Sequence, residues 1–356
     1  MAKSRTTPAP GKAAAAAAVA LAGAAAAGGK LAHDRRSRPA GPVSEPDRTY
    51  RLRADEYVPD GVRRIARGRL ADAGEQLGGA SGGELGAAVH GARKDLKRLR
   101  AALRLTRGAL GEETYERENT AFRMAGRRLS GTRDAQVLVE TLDALAARFA
   151  DELPATLTTD LRARLQGEHE RALAALQEDD AAVGRTLDEL AEARTRTAGW
   201  TLDDDGFGAL APGLGRIYRR GRKRVRAAAQ EPTDERLHEA RKRVKDLWHA
   251  TQILRPAAPK RLKKLSKRAH GLADLLGDDH DLAVLRAYAD RHPQCFADES
   301  SRQALLTILD RRRQALQRKA FKLGDELYEQ SPKRFVSAIE RGWRKRADAR
   351  PAPLAG

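Results

Sequence analysis

The chain has 356 residues and carries 68 Lys and Arg against 49 Asp and Glu, a formal net charge of +19. That length admits one large domain or two ordinary ones, and the cation surplus implies a polyanionic partner: nucleic acid, an anionic membrane surface or another phosphate polymer. Aromatic residues are only 4% of the chain, too few for the stacking platform of a single-strand binder, and the lone Cys295 excludes both an internal disulfide and a thiol zinc cluster.

Residues 1–48 are low in complexity. Lys3, Arg5 and Lys12 precede an Ala/Gly run from Ala13 to Gly29, and a Pro-rich charged stretch follows. A secretory signal would have this charge order. A membrane span would need roughly 20 strongly apolar residues, and the run is shorter and mostly Ala. The composition favours a third reading, a frayed Ala-rich helix or disordered tail.

From Tyr50 the pattern is regular, and abundant Ala, Leu, Arg and Glu with few β-branched residues favour helix throughout. Pro59-Asp60 starts a first helix through Ile65 and Leu70, and Gly78-Gly79 ends it. A second opens at Ser81 to Glu84 and closes at Gly108 to Gly111. Further helices are expected over 112–129, 133–151, 159–178 and 180–197, and the Gly- and Asp-rich stretch Gly199–Gly215 reads as a joint between halves. Pro232-Thr233 opens the next helix and Pro256 to Pro259 closes it. Lys260 to Leu276 reads as a basic helix, with a new one beginning at Gly277 to Asp281 and ending at Pro293. Ser301–Leu323 and Pro332 to Arg346 complete the series, with no strand signal of useful length.

The second of these helices carries the main functional signal. At about 100° per residue, Ala92, Leu96, Leu99, Leu103 and Leu110 form one apolar stripe. His90, Arg93, Lys94, Lys97, Arg100 and Arg104 form another beside it that contains no acid. A solvated helix face usually mixes signs, so this stripe needs an offsetting charge from elsewhere. The pattern recurs downstream: His238, Arg241, Lys242 and Lys245 repeat His90, Arg93, Lys94 and Lys97, with Val244 and Leu247 at the apolar positions. Two occurrences of H-x-x-R-K-x-x-K on amphipathic helices read as an internal duplication. The preceding helices echo each other too, through Arg64, Ile65 and Arg67 in the first and Ile217, Arg220 and Lys223 in the second.

No enzyme constellation stands out: there is no P-loop, dinucleotide fingerprint, HExxH or acidic ExExK strand. Asp278, Asp279, His280 and Asp281 are adjacent, but consecutive residues on a helix point in different directions. Asp278 and Asp279 are expected to cap a helix N-terminus, and no metal or cofactor is expected.

The doubled H-x-x-R-K-x-x-K helix, the Gly131-Thr-Arg-Asp134 and Gly277 to Asp281 turns and the paired helix openings resemble the CHAD family, the histidine-marked α-helical domain. The resemblance spans nearly all of 49–346, with repeats at about 49–198 and 206–346, and leaves 347–356 as a disordered tail. It implies an all-α fold of two antiparallel four-helix bundles related by a pseudo-twofold axis. It also implies non-enzymatic binding of inorganic polyphosphate, in the cytoplasm and at polyphosphate granules. By position the match carries His90, Arg93, Lys94, Lys97 and Arg133 in the first repeat and His238, Arg241, Lys242, Lys245 and His280 in the second. Arg100, Arg104, Arg64, Arg67, Arg220 and Lys223 extend the expected phosphate-binding set. Asp246 and Trp248 stand where the first repeat has Arg98 and Arg100, which unbalances the two halves. Phosphate contacts alone would also hold nucleic acid as a weaker partner. An enzyme acting on phosphate chains comes third, for want of an acidic metal-binding cluster, and no membrane partner is expected.

Overall fold

A computed structural model describes residues 48–347 except 54–55, 81–83, 130, 154 and 179. The chain divides into two units, Met1–Glu45 and Pro46–Gly356, and all described residues belong to the second. The low-complexity segment 1–47 and residues 348–356 lie outside the described residues.

Among the described residues the fold is all helix, in eleven α-helices. They are α1 Val58–Gly78, α2 Leu85–Leu110, α3 Glu112–Arg128, α4 Gly131–Arg148, α5 Ala155–Glu178, α6 Asp180–Arg196, α7 Ala211–Gln230, α8 Asp234–Ile253, α9 Pro259–Arg291, α10 Glu299–Leu327 and α11 Pro332–Ala347. Local chemistry sets most ends. Pro sits in the first turn of α1, α7 and α9, where its missing N–H leaves no bond unmade. The Thr233 hydroxyl caps α8 by accepting from the Arg236 N–H, and the Asp298 carboxylate caps α10 from the Ser301 N–H at 2.7 Å. Between α2 and α3 the chain turns at Gly111, whose φ of +83° is unfavourable for any residue with a Cβ.

In the first half α1 packs on α2, α2 on α3, and α6 on both α1 and α3. In the second, α7 packs on α8, α8 on α9, and α10 on both α9 and α7, while α11 covers α7. These two sets do not have separate interiors. One hydrophobic core runs from Leu52 through α1, α2 and α3 into α7, α8 and the front of α9, up to Leu276. A second joins α4 and α5 to the back of α9, from Leu282, and the front of α10.

That division corrects the reading of residues 260–291. α9 does not stop at Gly277; it runs unbroken over 33 residues, Pro259–Arg291. The polar stretch Gly277 to Asp281 marks where α9 leaves one core and enters the other, which breaks the apolar pattern without breaking the helix. Asp278 and Asp279 therefore cap nothing. Asp279 is only 1% exposed and accepts from Arg313 Nε at 3.2 Å and Gln317 Nε2 at 2.8 Å, both on α10. One interior Gly costs a helix about 1 kcal/mol, less than the packing of a long apolar face returns. The expected joint at Gly199–Gly215 is also shorter than read, because α7 begins at Ala211 with Pro212 in its first turn.

Candidate anion-binding site

α2 lies against both α7 and α8, so the helices bearing the two cationic stripes meet. Their apolar stripes fix the rotation. Leu96, Leu99 and Leu103 on α2 and Val244 and Leu247 on α8 are each 1% exposed or less. At about 1.5–3 kcal/mol for each fully buried side chain, those five oppose any roll of the helices that would carry the cations elsewhere. Between the halves, Gly213 of α7 sets the approach, since a Cβ there would overlap the Leu105 carbonyl oxygen of α2.

This crossing leaves a small cleft of about 20 Å³. Arg104 and Arg107 enter it from α2, Arg216 and Arg220 from α7, and Arg243 from α8. Tyr115 and Ile217 form apolar wall, and Asp246 is the one acid in the lining. Asp246 lies 3.2 Å from Arg104 Nη1 and 2.9 Å from Arg243 Nη1, bridging the two halves. Arg107 bonds Glu112 at the rim. Arg216 keeps a buried Nη1 with no hydrogen-bond partner.

The electrostatics follow from crowding. Burial, then the neighbouring Arg104, lowers Arg100 to about 10, and its Nε donates to the neutral Asn119 amide oxygen, at 3.0 Å. Arg220 is lowered by burial first and by Arg243 second. A guanidinium ordinarily titrates above 12. Depressed guanidinium values mean that cations are held close together, partly out of water, with too little negative charge beside them.

Histidines sit beside the cationic stripes, on α8 and α9. The His238 and His280 rings are 4.5 Å apart. Burial, then His280, Lys242 and Arg241, pushes His238 down to about 4. Burial and Arg241 also lower His280. His249 goes down to about 3, through burial first and then Arg98, Lys245, Arg104 and Lys97. That set draws on both stripes, so their fields overlap at His249. Arg241 runs across α9 at Gly277, where a Cβ would lie 3.3 Å from its Nε, and that Nε is buried without a partner.

The residues expected from sequence divide as follows. Arg104 and Arg220 line the cleft, with Arg100 in electrostatic reach of Arg104 and Asp246. Arg241, Lys245, His238 and His280 gather where α8 meets α9. Lys242 is exposed and bonds Glu239 at 2.7 Å, so the second stripe carries an acid that the first lacks. His90, Lys94 and Lys97 are exposed on α2, Arg93 is half-buried there, and Lys223 is exposed on α7. The side chain of Arg133 lies outside the described residues.

Arg64 and Arg67 line a separate concavity with Arg63 and Arg194, away from the cleft. Arg64 is engaged there by Glu56 and the Thr49 and Arg51 carbonyls. Sequence reasoning missed Arg107, Arg216, Arg243 and the role of Asp246. Arg243, inside the downstream repeat, and Asp246, directly after it, carry a signal: 148 positions after Asp95 and Arg98, they invert the same i,i+3 ion pair.

Among the described residues no group of three His, Cys, Asp or Glu could hold a metal ion. No helix among them is long and apolar enough to cross a membrane.

A family model described as CHAD domain matches residues 64–290. No curated protein matches the chain. The crystal structure of the CHAD domain from the plant Ricinus communis is similar in fold, with a TM-score of 0.55 and 19% identity over 83% of this chain and 94% of that one.

Proposed function

The chain belongs to the CHAD domain family, and from that premise we propose that it binds inorganic polyphosphate, with the arginine cleft between its halves as the principal contact. The observation that carries this reading is the convergence of Arg104, Arg107, Arg216, Arg220 and Arg243 from three helices on one cleft with a single interior carboxylate. Polyphosphate is a linear polyanion without bases. It needs dense charge and planar donors that grip two oxygens at once, which arginine supplies and lysine does not. The shortage of aromatic residues weighs against a base-reading surface. The reading assigns no catalytic step. It gives the protein the role of a tether or organiser of cytoplasmic polyphosphate granules, with nucleic acid a weaker ligand of the same charge.

The test is a titration of labelled polyphosphate over a salt series, with duplex DNA as competitor at equal phosphate concentration. Neutralising several phosphates releases counterions, so the logarithm of the affinity falls linearly and steeply with the logarithm of salt. Polyphosphate displaces DNA, not the reverse. Arg216→Gln together with Arg220→Gln weakens binding at least tenfold at fixed salt while the far-ultraviolet circular dichroism stays unchanged. A flat salt response, or a double variant that binds as the parent does, overturns the reading.

A further inference from the structure

The acid inside the cleft calls for its own explanation. Asp246 is buried, 7% exposed. It is held by Arg104 from one half and Arg243 from the other, at 3.2 and 2.9 Å. Arg100 and Arg220 lie within its field as well. A carboxylate carries two anionic oxygens on a small planar group, and one oxygen faces each guanidinium, much as two oxygens of one phosphate unit would.

The contrast with the first half is instructive. In α2 the corresponding pair runs the other way, with the carboxylate at Asp95 and the guanidinium at Arg98. Asp95 turns towards α1, where Arg69 Nη1 and Gln76 Nε2 also reach it, at 3.0 and 3.1 Å. Inverting the pair in α8 keeps an i,i+3 ion pair on the helix yet moves the negative charge from the helix's far side into the cleft. A pair needed only to support α8 would serve in either orientation.

We infer that Asp246 is a built-in counter-anion of the cleft: it pairs with the Arg104 and Arg243 guanidinium groups, and a bound phosphate chain must compete with it for them. The inference rests on the polyphosphate reading and adds what limits the affinity of that site. Its consequence is reversibility. A cleft of five arginines with no interior acid would hold a polyanion tightly and release it slowly. With Asp246 present, every bound state sets a fixed negative charge against the ligand, and that repulsion speeds release. Ion pairing with Asp246 also keeps Arg104 and Arg243 preorganised, which a row of repelling guanidinium groups would not manage alone.

Asp246→Asn keeps the shape and removes the charge. In the full-length chain, labelled polyphosphate of defined length binds this variant about tenfold more tightly than the parent at the same salt, with most of the change in the dissociation rate. Because removing one partner of a buried pair can unsettle the fold, a second comparison avoids the orphaned charge. Arg104→Gln alone binds more weakly than the parent, and Arg104→Gln with Asp246→Asn regains affinity over Arg104→Gln. Folding is checked in each case by circular dichroism and thermal melting. A folded Asp246→Asn no tighter than a parent that does bind overturns this inference and leaves the polyphosphate reading standing. Equal affinity of Arg104→Gln and its double variant does the same. If neither the parent nor Asp246→Asn binds polyphosphate, both fall.

Discussion

Arg241 and Lys245 belong to the same stripe as exposed Lys242, yet their surroundings differ. Arg241 crosses Gly277 with its Nε buried. Burial, then Arg241, lowers Lys245, while Asp274 and Asp281 across on α9 pull the other way. From the stripe alone, exchanging Arg93, Lys97, Arg241 and Lys245 for Glu reads as neutral to folding. With α9 in place, a Glu at 245 would join two carboxylates. The histidines yield a test at this scale. His249 and His238 titrate in the folded chain at about 3 and about 4, and near 6.5 when unfolded. The unfolded chain therefore binds more protons between those limits, so this contribution to stability is complete above pH about 6.5 and is lost as pH falls towards 4. The melting temperature is expected to hold steady from pH 8 to 7 and to drop between 6.5 and 5. His249→Gln should flatten that drop, and thermal melts across the pH series check it. Burial first and the neighbouring His280, Lys242 and Arg241 second depress His238, and a bound polyanion counters the cations and so raises its pKa. Polyphosphate affinity should therefore increase as pH falls towards about 4, and His238→Asn should remove part of the increase.

At the scale of the element, α9 shows that a helix can outlast a break in its own hydrophobic pattern. Leu272 and Leu276 face one core, Leu282 and Leu285 the other, and Gly277 lies between, under the Arg241 guanidinium. Gly277→Ala separates fold from site here. Alanine favours a helix interior by about 1 kcal/mol over glycine. The new Cβ would stand 3.3 Å from the guanidinium, which has the flexibility to move. We expect an equal or slightly higher melting temperature together with weaker polyphosphate binding, because the new methyl pushes the Arg241 guanidinium aside by a few tenths of an ångström. Melting and titration of the same preparation decide it. A variant unchanged in affinity would place Arg241 outside the binding surface.

At the scale of the molecule, the halves are locked by shared interiors. The first core takes side chains from both halves, and the α4–α5 hairpin of the first half closes its own core against α9 and α10 of the second. The arginine cleft exists only because α2, α7 and α8 meet. Gly213 at the α2–α7 crossing is consequently a stronger test than any arginine. Gly213→Val places a side chain against the Leu105 carbonyl, where backbone must move, and overpacking of this kind costs about 1–3 kcal/mol or more. The expected result is a melting temperature lowered by several degrees and at least tenfold weaker polyphosphate binding with every arginine still present. Loss of stability without loss of binding would show that the cleft does not depend on this crossing.

The all-helical fold and most helix ends are legible from the residues in line, because spacing of Leu and Ala, prolines in first turns and caps such as Thr233 act within a few residues. Also legible in line is that two helices carry cations beside an apolar stripe, since repetition of His, Arg, Lys and Lys at fixed spacing needs no tertiary context. Tertiary structure alone decided which cations act together. Arg216 and Arg243 meet only because α7 and α8 turn them to one cleft, and Arg64 drops away because Glu56, eight residues before it, engages it. Local periodicity places a residue on a face of its own helix. It carries no information about what lies opposite, and charge acts through space rather than along the chain. For that reason Asp246, a departure from the repeat when read in line, becomes an acid lining the arginine cleft and paired with Arg104 and Arg243 once the helices are packed.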